Sequence, residues 1–197
     1  MIDLVTPSLR YRDSFLAGAA EFHSLGRLDS TYATYLGFDL ARLKWDFNRF
    51  VEKVIDLADR VHLPDGWHPD HVHWLIHDDE YIGQSSIRPD LGTMYLITYG
   101  GHIGYSIRPE RRQRGYGQRI LGLTLKKARE VGLAKVLITC DEDNIASKKI
   151  IEANGGVFEQ AMIMDADILT AEGRAPDQPV AKLRYWIDLE PRPEELI

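Results

Sequence analysis

Apolar residues recur at three- and four-residue steps between Asp39 and about Arg60 (Leu40, Leu43, Phe47, Phe50, Val51, Val54, Ile55, Ala58), which predicts one amphipathic helix with Asp39 as its N-cap. Upstream, Ile2 to Val5 reads as a short strand, and Thr6-Pro7-Ser8 offers a hydroxyl cap for a helix running to about Ser24. Leu63 to Pro69, with two prolines and a glycine, cannot continue a helix and reads as a loop. Val72 to His77 and Tyr81 to Ile87 flank the acidic turn Asp78-Asp79-Glu80 as two antiparallel strands. Pro89 to Gly100 gives no clear period.

Beyond it, His102 to Ile107 predicts a strand ending at Arg108-Pro109, and Gly117 to Val131 a helix with Ile120, Leu121, Thr124, Leu125 and Ala128 on one face. Gly132 stops that helix, and Lys135 to Cys140 follows as an apolar strand, so the three elements predict a parallel crossover unit. A short helix from Ile145 to Ala153 ends at Asn154-Gly155-Gly156, and Val157 to about Ile168 and Val180 to Leu189 predict two more strands. The class is α/β with a mixed sheet.

Length and composition narrow the function. The 197 residues suit a single domain, divided as 1–70 (first strand and N-terminal helices), 71–158 (central sheet) and 159–197 (last strands). The start of the chain lacks signal-peptide character, no apolar run reaches the length of a membrane span, and Cys140 is the only cysteine, so the expectation is a cytoplasmic protein without disulfides or membrane insertion. A formal charge of −6 argues against a nucleic-acid binder. Against that background Arg108, Arg111, Arg112, Arg114 and Arg119 cluster around a single acid, Glu110, and predict that something anionic docks there.

The cluster lies where a strand runs through a loop into a helix. Gly115 and Gly117 permit positive φ and close backbone approach, so successive N–H groups can converge on a phosphate at the positive end of the helix, with arginines adding charge-assisted hydrogen bonds. A Walker loop is absent. A dinucleotide fingerprint fits poorly, because Ile120 stands at the third glycine position, although Asp141 ends the next strand where a ribose-binding acid would lie.

Arg112-x-x-Gly115-x-Gly117, after Ile107-Arg108-Pro109, together with Asn144-Ile145-Ala146-Ser147, Ile150-Ile151-Glu152 and Asn154-Gly155-Gly156, resembles the GCN5-related N-acetyltransferase (GNAT) family. The resemblance covers roughly residues 101–158. It implies a centrally splayed mixed sheet flanked by helices, with acetyl-CoA as cosubstrate, no metal, and a small-molecule or peptide amine as acceptor attacking the thioester directly. Ile107 would meet the pantetheine, residues Gln113, Arg114, Gly115, Tyr116, Gly117 and Gln118 with Arg112 would surround the pyrophosphate, and Asn144 and Ser147 would line the second diverging strand. Asn144 is equally suited to be only a helix cap. A homodimer through paired sheet edges is compatible with the pattern.

Many family members carry a tyrosine that assists the departing sulfur, but Ile151 stands at the matching position here. Tyr105 or Tyr116 are the candidates to replace it, and His102, heading the cofactor strand and titrating near neutrality, is the candidate base. Five histidines (62, 68, 71, 73, 77) suggest a metal cluster less than a partly exposed strand, and Cys140 reads as a packed hydrophobe more than a nucleophile. Two alternatives stay open: a non-catalytic CoA-binding regulatory domain, and an acyltransferase using a longer acyl-CoA.

Overall fold

The computed structural model describes residues 1–63, 67–171, 175, 177 and 180–189. Two sheets form, and their facing edges part to make a cleft. The first is antiparallel with order β1 (Ile2–Val5), β2 (His71–His77), β3 (Glu80–Ile87), β4 (Ile103–Ile107); the second has order β5 (Lys135–Asp141), β7 (Ala181–Asp188), β6 (Val157–Ile163). The acidic hairpin between β2 and β3 closes through Asp78 and Asp79, both at positive φ (49° and 64°), a conformation short polar side chains tolerate.

Helix α1 (Arg12–Ser24) begins later than the sequence suggests, because Ser8 caps a short 3₁₀ turn at Leu9–Tyr11 instead. The single helix expected over 39–60 is two: α2 (Leu40–Trp45), capped by Asp39, and α3 (Phe47–Asp56), separated at Asp46 where φ and ψ are −124° and 35°. The break lets Leu43, Phe47 and Phe50 all enter one aromatic cluster, in which Phe15 lies 5.5 Å from Phe47, 5.2 Å from Phe50 and 4.6 Å from Trp74. Burial of rings on this scale outweighs the few helical hydrogen bonds lost. This N-terminal layer packs on β2 and β3; of the expected loop at 63–69, residues 64–66 lie outside the described residues.

Helix α4 (Tyr116–Glu130) buries Ile120, Leu121, Thr124, Leu125 and Ala128, as its period predicts, and ends at Gly132 with φ +89°. Helix α5 (Ile145–Ala153) covers β5, with Ile151 fully buried in the second core. The expected strand over 157–168 ends at Ile163, because Asp165 accepts the Ile168 N–H and starts α6 (Ala166–Ala171).

The predicted parallel crossover is only half realised. Strands β4 and β5 flank α4 as expected but share no ladder: one isolated bridge, Gly101 to Ile138, joins the two sheets, and each strand then leaves its edge towards the other bare. Gly101 has φ +74°, and a Cβ there would stand 2.6 Å from the Leu137 carbonyl oxygen, so only glycine permits this contact.

Candidate active site

The cleft begins where the strands part. His102 donates its backbone N–H to Leu137 O at 2.8 Å, and Leu137 returns its N–H to the His102 ring Nδ1 at 2.9 Å. Because Nδ1 accepts, the neutral ring carries its proton on Nε2. Burial, and then the nearby Arg88 guanidinium, hold the His102 pKa below its usual value, which keeps the ring neutral. His102 packs 6.1 Å from the Trp186 ring and does not line the cleft.

Below this junction opens a cleft of about 770 Å³, walled by Gly104 and Tyr105 of β4, by Thr139, Cys140 and Asp141 of β5, and by Asn144 and Ser147 at the start of α5. A turn of π-helix at Leu96–Gly100 roofs it, in the segment whose sequence gave no period. That roof is pinned from below: Thr139 Oγ1 donates to Tyr99 O at 2.5 Å, and Arg184, buried on β7 and paired with Glu159 at 2.7 Å, donates to the carbonyls of Ile97 and Thr98.

Tyr105 is the one of the two tyrosine candidates that reaches the cleft. Its hydroxyl is buried, forms no well-directed hydrogen bond, and faces Ser147; burial pushes its pKa up to about 12. Tyr116 instead bonds His77 Nδ1 through its hydroxyl at 2.7 Å, on the β2 side of the sheet. Cys140 is buried, and desolvation pushes its thiol up to about 11, which suits the packing role and not a nucleophile. Asn144 is a helix cap, its Oδ1 accepting the Ser147 N–H at 3.1 Å, and it lines the cleft as well.

At the other end of β4 the loop turns through Gln113 (φ 59°) and Gly115 (φ 79°) into α4. Among the described residues, the N–H groups of 113–118 have no backbone partner, and no side chain caps the helix. Unpaired amides at a helix N-terminus form an anion cradle, and a groove of about 420 Å³ runs from it past Gln118, Arg119 and Lys126. Gly115 stands in open space, so its glycine serves the left-handed turn, whereas a Cβ on Gly117 would meet Ile150 Cδ1 at 2.4 Å. Gly117 therefore also permits close approach of α4 and α5.

The arginine cluster divides. Arg108 is buried and bonds Glu21 at 2.6 Å and Glu80 at 2.9 Å, while Arg111 bonds the same Glu80 at 2.5 Å. These two are internal clasps between the loop after β4, α1 and β3, and are not available to an anion. Arg112 bonds Ile107 O through Nε at 3.2 Å, leaving the guanidinium nitrogens of Arg112, Arg114 and Arg119 exposed around the cradle. Charge counting along the chain does not separate these groups, because the acids that engage Arg108 and Arg111 come from residues 21 and 80.

Sequence reasoning also missed the trio Tyr32, Asp70 and Arg88, of which Asp70 is buried and the other two are partly buried. Tyr32 donates to Asp70 Oδ2 at 2.5 Å, and Arg88 donates to the same oxygen at 3.2 Å and to Gly101 O at 3.0 Å. No local motif marks these residues, which lie in three separate segments; the only hint was polar residues abutting strand ends. Of the histidines, His73 Nδ1 contacts His71 O and His77 contacts Tyr116, the side chain of His62 lies outside the described residues, and no metal-binding group of three or more ligands occurs among the described residues.

No curated protein sequence matches the chain. Among solved structures, the microcin C7 self-immunity acetyltransferase MccE, in complex with acetyl-CoA and AMP, superposes with a TM-score of 0.62 at 13% identity, covering 95% of this chain and 92% of that one. An acetyltransferase from Salmonella typhimurium that modifies the N-terminal serine of ribosomal protein L7/L12 gives 0.61 at 15% identity over 96% and 95% of the two chains. The L7/L12 acetyltransferase RimL in complex with coenzyme A gives 0.61 at 14% identity over 96% of each. At these identities the likeness is one of fold. The sequence profile of the acetyltransferase (GNAT) domain matches residues 30–157, well over half the chain, and the protein therefore belongs to the GNAT acetyltransferase family.

Proposed function

We propose that the protein transfers the acetyl group of acetyl-CoA to a primary amine by direct attack. The observation that carries this reading is the bare edge of β4, which runs from the unpaired amides of 113–118 to the cleft where β4 and β5 part. Pyrophosphate fits the amide cradle and its exposed arginines, pantetheine can pair along β4 as a further strand starting near Ile107, and the thioester then comes to Tyr105, Asn144 and Ser147. The neighbours crystallised with acetyl-CoA or CoA support the same cosubstrate.

The amine lone pair forms the new N–C bond, the C–S bond breaks with its electron pair on sulfur, and one proton lost from nitrogen is balanced by one gained by the thiolate. A lysine-like amine titrates near 10.4, so it must shed a proton before attack. Neutral His102 has its only lone pair engaged by Leu137, so we assign it to the strand junction and not to the amine proton. Tyr105 is our candidate for assisting the sulfur. At a pKa of about 12, against about 8.5 for an ordinary thiol, full proton transfer to a thiolate is uphill by roughly 5 kcal/mol, so Tyr105 acts as a hydrogen-bond donor to the departing sulfur, which takes its proton from solvent.

Among the described residues no helix is long and apolar enough to cross a membrane. Calorimetric titration with acetyl-CoA, followed by thiol release with a panel of primary amines, tests the proposal. Binding with no thiol release from any amine would favour a CoA-binding module, and faster release from a longer acyl-CoA would overturn the acetyl assignment.

A further inference from the structure

The wall of the cleft on the acceptor side is aromatic and acidic, and its cations are already engaged. Tyr32, Tyr35, Trp67, Tyr95 and Tyr99 line it, with Tyr35 stacked on Trp67 at 4.7 Å and 27°, and with Tyr35 and Tyr95 58% and 41% exposed. Aromatic surface left open in a cleft marks a place for a flat apolar group or a cation over the ring face. Among the described residues, Arg88 is bonded to Asp70 and Lys182 to Asp141 at 2.7 Å, so the two permanent cations of the wall each already hold a carboxylate.

Asp70 supplies the complementary group. It is 8% exposed, lines the cleft, and has both ordered donors, Tyr32 and Arg88, on Oδ2, whereas its Oδ1 is buried without any hydrogen bond. A carboxylate oxygen enclosed and unpaired is costly unless a partner arrives, and the group an acetyl acceptor must bring is an N–H donor.

Resting on the acetyltransferase reading above, we infer that the acceptor is a primary amine carried on an aromatic or similarly flat apolar group without a neighbouring carboxylate, and that Asp70 Oδ1 receives the amine N–H. Arg88 and Tyr32 hold the Asp70 carboxylate in place, and because Arg88 also bonds Gly101 O, the amine-binding oxygen is fixed relative to the point where β4 and β5 part. The aromatic wall takes the rest of the acceptor.

Three ligands of the wild-type protein test this: 2-phenylethylamine, n-butylamine and 2-phenylethanol, titrated calorimetrically into the protein with and without saturating CoA. The amine bearing the ring should bind about tenfold or more tighter than either of the others, since one lacks the aromatic surface and one the ammonium. Asp70→Asn should weaken 2-phenylethylamine about tenfold to a hundredfold and leave the affinities for CoA and 2-phenylethanol unchanged. Equal or tighter binding of n-butylamine or 2-phenylethanol, an unaffected Asp70→Asn, or a serine-led peptide bound more tightly than 2-phenylethylamine would each overturn the inference. If Asp70→Asn does not fold, the three wild-type ligands decide alone. A protein that selects the aromatic amine but does not bind CoA would overturn the acetyl-transfer proposal and leave only the amine site at Asp70 and the aromatic wall standing; one that binds CoA and acetylates amines without that selection would overturn this inference and leave acetyl transfer standing.

Discussion

His102 and Leu137 exchange two hydrogen bonds, backbone N–H to carbonyl in one direction and backbone N–H to ring Nδ1 in the other, and they are the last link before β4 and β5 diverge. The imidazole thus completes a junction that the backbone alone leaves half made. His102→Ala strands the Leu137 N–H and should cost about 1–3 kcal/mol in denaturant unfolding. The folded-state pKa of His102 is depressed, so its contribution is fully present above the unfolded value of about 6.5 and is lost as pH falls below it. His73 is depressed too, by burial first and then Lys127, so the variant should retain part of the wild-type slope of stability against pH between about 5 and 7 and lose the rest. An identical slope would remove His102 from the junction.

Tyr105→Phe should leave acetyl-CoA affinity within about twofold while lowering kcat at least tenfold, because only the hydroxyl facing Ser147 is removed and the ring still packs. Tyr116→Phe, losing its bond to His77, should leave kcat within about twofold of wild type. Single-turnover thiol release separates the two variants. Equal rates would take the sulfur-assisting role away from Tyr105.

The arginines should sort into two classes. Arg114→Ala and Arg119→Ala should each weaken acetyl-CoA binding about tenfold at low salt, with a smaller loss at high salt, and leave stability within about 0.5 kcal/mol. Arg111→Ala and Glu21→Gln should act on stability instead, by about 1–3 kcal/mol, since each breaks the clasp around Arg108. For Glu21, burial raises the pKa, but the bonds from Arg108 and the Glu110 N–H outweigh it and leave the carboxyl below its usual value. Its contribution is therefore present above about 4.3 and is lost as pH falls through the folded value, a limb that thermal melts of Glu21→Gln should lack.

Gly117→Ala brings a Cβ against Ile150 Cδ1, the end of a flexible side chain, and should destabilise by about 1 kcal/mol. Ile150→Val deletes that methyl. The double variant should recover most of the loss beyond the sum of the single changes, which urea unfolding of the four proteins measures. Strict additivity would remove the contact with Ile150 as the reason for a glycine at 117.

Much of this protein was legible from periodicity and loop chemistry, because those signals are local. The α4 stripe from Ile120 to Ala128, the caps at Asp39 and Asn144, and the turn at Gly115 each follow from side chains within a few residues of one another, and so does the family resemblance they carry. What the chain could not reveal depends on residues far apart in sequence. The break at Asp46 is set by packing around Phe15, the withdrawal of Arg108 and Arg111 from the anion site by Glu21 and Glu80, and the role of His102 by Leu137. The Tyr32, Asp70 and Arg88 trio likewise gathers at one end of the sheet only when β2, β3 and β4 align. Composition and spacing decide which charges and rings exist; which remain available to a ligand is decided by the partners that folding brings within hydrogen-bond distance.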